Sequence, residues 1–70
     1  MKKIVSNVAG RVVACCVEEG ARIQTGDEAF KVESMKMEIP VESEAAGRIA
    51  KILVAVGDEV EEGQDLAVLD

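Results

Sequence analysis

The six glycines of this 70-residue chain form two matched triplets. Gly10, Gly20 and Gly26 recur as Gly47, Gly57 and Gly63, each displaced by the same 37 positions (47 − 10, 57 − 20, 63 − 26). Their neighbours follow at that offset. Ala9-Gly10-Arg11-Val12 returns as Ala46-Gly47-Arg48-Ile49, Cys15-Cys16-Val17 as Ile52-Leu53-Val54, Val32-Glu33 as Leu69-Asp70, and Ser6 as Ser43. Glycines at matched turn positions are harder to obtain by accident than matched valines. One offset throughout leaves no insertion in either half. Two like halves that pack together relate by an approximate two-fold axis. The joining segment, Ser34 to Val41, is then expected at one end of the molecule, with both chain termini at the other.

The length implies a single domain over residues 1–70, with a small core that tight packing must hold together. Histidine is absent, so the common zinc ligand sets are excluded. Cys15 and Cys16 are neighbours, unsuited to an ordinary disulfide. Their counterparts Ile52 and Leu53 suggest small apolar strand residues, one turned inward and the other nearer the surface. A redox or metal role is the sharper alternative. Unpaired thiols and no signal peptide point to the cytoplasm. Net charge is −6, no basic patch is visible in the sequence, and Phe30 is the only aromatic. Nucleic-acid binding is not expected, and no apolar run is long enough to span a membrane. The acidic surface reads as a solubility device.

Short segments rich in Val and Ile, punctuated by glycine, predict an all-β chain. Strands are expected near Ile4–Ser6, Arg11–Val17, Glu28–Val32, Glu38–Val41, Arg48–Val54 and Leu66–Leu69, with very short ones at Ile23 and Val60. Turns are expected at Gly20-Ala21, Thr25-Gly26-Asp27, Ala46-Gly47, Gly57-Asp58 and Glu62-Gly63. Four strands per half give a flattened barrel-sandwich of two four-stranded antiparallel sheets. The candidate core in the first half is Val12, Val17, Ile23 and Val32. In the second half it is Ile49, Ile52, Val54, Val60, Val68 and Leu69.

Between strands four and five the tight turn falls on Met35-Lys36. A two-residue hairpin loop needs positive φ, which favours Asn-Gly or Asp-Gly. Forcing Met and Lys into that region costs about 1–2 kcal/mol per residue. Other turns in this chain use glycine, and a local rule broken at one place marks a functional position. Lys36 sits at the midpoint of the duplication, which suggests a modified lysine that carries a cofactor. Met35 and Met37 are adaptable apolar side chains suited to a partner's surface. The plainer alternative folds both methionines back onto the barrel end and leaves Lys36 merely solvated.

Glu33-Ser34-Met35-Lys36-Met37 resembles the attachment motif of biotinyl domains, Glu-Ala-Met-Lys-Met. Ala46-Gly47-Arg48-Ile49 and the stretch from Val56 to Gln64 are similar to the second half of that family, whose lipoyl relatives share the latter pattern. The resemblance runs from Ile4 to Asp70 and implies a barrel-sandwich fold. It implies that Lys36 is the acceptor to which a biotin protein ligase joins biotin through an amide bond. Met35 and Met37 then flank the acceptor for recognition, and Glu33 is a candidate contact for the ligase. It further implies a carrier moving carboxyl from a biotin carboxylase to a carboxyltransferase. Tethering keeps the cofactor at high effective concentration at each site. Ser34 departs from the biotinyl Ala and resembles the Thr of the lipoyl motif. The form from Ser34 to Pro40 is similar to that of small stand-alone biotin/lipoyl attachment proteins. The equal halves leave no room for the protruding thumb of some carrier proteins. Ser6-Asn7-Val8-Ala9 replaces the proline-containing lead-in common in the family, and the lack of a Pro/Ala-rich linker before Ile4 favours a stand-alone chain.

The main alternative is a lipoyl carrier for a 2-oxo acid dehydrogenase or the glycine cleavage system, or an acceptor of both groups. A third is an interaction domain with an unmodified hairpin. The sequence holds no nucleophile–base pair and no phosphate loop, so the chain is read as a non-catalytic carrier.

Overall fold

The structure, a computed structural model, describes residues 2–70. The repeat sets its architecture. The strands are β1 Lys2–Val5, β2 Gly10–Cys15, β3 Arg22–Ile23, β4 Glu28–Ser34, β5 Met37–Glu42, β6 Gly47–Ile52, β7 Glu59–Val60 and β8 Asp65–Leu69. They form two four-stranded sheets with orders β5-β4-β2-β7 and β1-β8-β6-β3, and every recorded pairing is antiparallel. Displacement by one repeat exchanges the two orders strand for strand, so the sheets are two-fold copies. Each sheet takes strands from both halves, so the halves interlock rather than sit side by side.

The β2–β7 and β6–β3 ladders each run past the ends of their short strands, through matched pairs of bonds. Val12 N–H bonds Asp58 O and Ile49 N–H bonds Ala21 O, at 2.9 and 2.8 Å. Gly20 N–H bonds Ile49 O and Gly57 N–H bonds Val12 O, each at 2.7 Å. The Ser6 and Ser43 hydroxyls are both buried. Each donates to a carbonyl two residues on, Val8 O and Ala45 O, at 2.6 Å, so burial leaves neither hydroxyl without a partner.

The core contains Val12, Ile23, Val32, Ile49, Val60 and Leu69, as expected. Val17, Ile52 and Val54 are only partly buried and pack against it, and Val68 is half-buried on the outer side. Ile4, Ala29, Phe30, Val41, Leu66 and Ala67 complete the core and were not expected there. For Ala29, Phe30, Leu66 and Ala67 the reason is a matched pair of β-bulges, and Ile4 and Val41 are the inward residues paired with Ala67 and Phe30. In β4 against β5, Phe30 faces Val41 while Glu28 faces Glu42, so Ala29 is an extra residue. In β8 against β1, Ala67 faces Ile4 while Asp65 faces Val5, so Leu66 is extra. A bulge breaks the alternation of faces. It buries Ala29 with Phe30 and Leu66 with Ala67, and turns Val68 outward. A second pair leaves Val13 extra in β2 and Ala50 extra in β6.

Other expectations shift for equally local reasons. β2 and β6 stop at Cys15 and Ile52, two residues short, because the chain must then cross to the other sheet. Cys15 and Cys16 are both exposed, against the expectation that one turns inward. The Val13 bulge lies two residues upstream and spoils the alternation on which that expectation rests. Gly47 is no turn residue but the first residue of β6. A Cβ there would sit 2.9 Å from Asp70 O, and one on its copy Gly10 would collide with Glu33 O. These two glycines permit close approach, whereas Gly20, Gly26, Gly57 and Gly63 supply positive φ.

Candidate functional site

Ser34 at the end of β4 faces Met37 at the start of β5, which leaves Met35 and Lys36 as a two-residue loop. Their φ angles are 53° and 66°, so both lie in the left-handed region that this hairpin class requires. They are the only non-glycine residues with positive φ among the described residues. Two apolar-stemmed side chains are thus held at a bend where the chain elsewhere uses glycine.

The side chains at the bend point into solvent. Met35 is 92 % exposed and Met37 66 %, so neither folds back onto the barrel end. Lys36 is exposed and belongs to none of the four ion pairs found among the described residues. Its ammonium is open to a macromolecule approaching along the hairpin axis.

Lys2 and Leu69, near the two ends of the described residues, lie far from this bend. Lys2 faces Leu69, and Lys2 Nζ donates to Ala46 O at 3.1 Å. Ala46 ends the short link after β5, at the end of that strand away from the hairpin. The six residues of β5 span roughly 20 Å at ~3.3 Å each, against a longest molecular dimension of 31 Å.

One row of charges runs across the outer face of the hairpin sheet. Glu59 faces Arg11, Arg11 faces Glu33, and Glu33 faces Glu38. All four are exposed, and Arg11 Nη2 lies 3.6 Å from Glu59 Oε1. Glu33, expected as a recognition residue, is therefore two residues below the loop and bracketed by Arg11 and Glu38. Arg11 and Glu59 were not singled out from sequence, because only strand register brings them into line with Glu33.

The cysteines stand apart from this site. They line an open groove with Val17, Glu18, Arg22 and Glu28. Cys15 Sγ donates to Val17 O at 3.3 Å, and Cys16 Sγ lies 3.8 Å from Glu28 Oε2. Partial desolvation pushes the Cys16 thiol above its ordinary pKa, and the Glu28 carboxylate adds to the rise. That makes Cys16 a weaker nucleophile than a free thiol.

A family model described as "Biotin-requiring enzyme" matches residues 1–69. The chain belongs to the biotin/lipoyl attachment family. A relative of this family member, a biotinylated protein TB7.3 homolog of Mycobacterium leprae, is 41 % identical over 64 residues, covering 91 % of this chain and 90 % of the relative. The biotin/lipoyl attachment protein of Bacillus subtilis is 37 % identical over 62 residues, covering 89 % of this chain and 85 % of that one. Among solved structures, the urea carboxylase of Kluyveromyces lactis superposes with a TM-score of 0.90 and 32 % identity. The match covers 99 % of this chain but 6 % of the carboxylase. The chain thus spans nearly the whole length of the small relatives and a small fraction of the large enzyme. Among the described residues, no helix is long and apolar enough to cross a membrane.

Proposed function

We propose that this protein is a biotin carboxyl carrier whose acceptor is Lys36. The observation that carries this reading is the strained Met35-Lys36 bend, which presents a solvent-exposed amine remote from Lys2 and Leu69. Conversion of that amine to an amide suits such a site. The Lys36 nitrogen loses a proton, attacks an activated acyl carbon and displaces its leaving group. The modified side chain then hangs on the hairpin as a long arm, free of the sheets. Bound biotin supplies a ring nitrogen that takes up and releases carboxyl. The fold supplies position alone: it projects the arm and restricts its volume of search.

The relatives include a biotinylated protein and a carboxylase, which supports biotin over lipoate. The partners in this reading are a biotin protein ligase, a biotin carboxylase and a carboxyltransferase. The chain itself contributes no catalytic group. Co-expression with a biotin protein ligase, followed by intact-mass analysis, tests the reading. One biotinyl group is expected on the wild type and none on Lys36→Arg. A wild type that stays unmodified, or takes only a lipoyl group from a lipoate ligase, overturns it.

A further inference from the structure

The two-fold copy of the row beside the hairpin carries the opposite charge. Arg11 faces Glu59 across β2 and β7, and the two form an ion pair. One repeat away, Arg48 faces Arg22 across β6 and β3. The same backbone positions therefore hold an attraction on one sheet and a repulsion on the other. Like charges directly opposite each other in a sheet are destabilising. Asp70 relieves Arg48, with Oδ2 2.9 Å from Nη2, but no carboxylate lies within ion-pair distance of Arg22 among the described residues.

The imbalance extends over the whole sheet. The strands of β1-β8-β6-β3 hold Lys2, Lys3, Arg22, Arg48 and Lys51, five of the chain's eight basic residues, against one acidic residue, Asp65. The strands of β5-β4-β2-β7 hold two basic residues against five acidic. Register puts Lys3 and Lys51 on either side of Val68, and Arg22 beside Arg48, so four cations share the outer face. Asp65 pairs with Lys3 at 3.1 Å and Asp70 with Arg48, which leaves Arg22 and Lys51 as the two of these cations in no ion pair among the described residues. A chain of net charge −6 gains nothing in solubility from gathering its cations there.

We propose that the outer face of the β1-β8-β6-β3 sheet docks against a carboxylate-rich protein surface, that of the biotin carboxylase component. Charge complementarity selects an acidic occupant. The sheet that bears Lys36 is left uncovered, so docking holds the carrier while the arm remains free to reach an active site. A ligase that reads the acidic hairpin sheet has no use for this face, so the two sheets serve different partners. The inference rests on the carrier reading given above.

The test uses the full chain biotinylated on Lys36 and the biotin carboxylase of its own host. The variant is Arg22→Glu with Lys51→Glu, two exposed positions away from the hairpin. At ~20 mM salt its KM as substrate for the carboxylase should rise at least tenfold with kcat unchanged, and the difference should collapse at ~300 mM, where screening is strong. Biotinylation of the variant by the ligase should match the wild type. If the double variant unfolds, Arg22→Gln with Lys51→Gln makes the same comparison and should raise KM severalfold. An unchanged KM overturns the docking face while leaving the carrier reading intact. Retention of the wild type on a duplex DNA oligonucleotide, with no effect on KM, assigns the cations to a polyanion and also overturns it. Absence of biotin on the wild type, seen first by intact mass, removes both inferences.

Discussion

Ser34 and Met37 face each other across the β4–β5 ladder with only Met35 and Lys36 between them, and both loop residues have positive φ. The loop is a strain site built around Lys36, the proposed acceptor. Met35→Gly should relieve about 1 kcal/mol, raising Tm by roughly 4–8 °C for a domain of this size. It should also slow biotinylation, because the glycine frees the bend to leave the geometry that presents Lys36. Thermal melts and a timed ligase assay on the same preparations check both halves of this trade-off.

Glu33 lies between Arg11 and Glu38 on the same outer face. Charge reversal by Glu33→Lys should lower kcat/KM for the ligase about tenfold, equivalent to ~1.4 kcal/mol. The position is exposed, so the fold should be unaffected. An unchanged rate would remove Glu33 from the recognition surface and leave the methionines as the flanking contacts.

Gly10 and Gly47 are equivalent in sequence but not in tolerance. Gly10→Ala drives a methyl into the backbone carbonyl of Glu33, which pairs with β2 on one side and β5 on the other and has little room to yield. A loss of about 1–3 kcal/mol or more is expected. Gly47→Ala meets Asp70 O at 2.9 Å, where the chain has left β8 and can yield, so its loss should be smaller. Urea titrations of the two variants give the ranking directly.

Much of this architecture was legible in the sequence, and several of the parts that were not trace to broken alternation. The single 37-residue offset foretold two equivalent sheets, and the turn chemistry at Met35-Lys36 singled out the bend. Pattern reading assumes unbroken alternation along each strand. The bulges at Ala29 and Leu66 break it, which is why Phe30, Leu66 and Ala67 were missed as core and Val68 was wrongly included. A bulge is a property of two strands in register, and one strand's sequence does not carry it. The charge rows follow the same logic. Arg22 stands 26 residues from Arg48 in sequence (48 − 22), and only strand pairing makes them neighbours.

Cys16 offers a pH-dependent check on local electrostatics. Its pKa is raised by desolvation and by Glu28, so its thiolate fraction at a given pH is below that of a free thiol. Glu28→Gln removes the second contribution and should lower the pKa. Alkylation of Cys16 at pH 8, followed by peptide mass mapping, should therefore be faster in the variant. The difference should shrink as pH rises past the raised pKa, where both proteins are thiolate.

The central claim is that the Lys36 amine is the one the cell modifies. Peptide mapping of the protein purified from its native host, by tandem mass spectrometry that localises the modified residue, addresses it most directly. A biotinyl group on Lys36 and on no other lysine is the predicted result. A lipoyl group at that position, biotin on a different lysine, or an unmodified Lys36 in every molecule would contradict it.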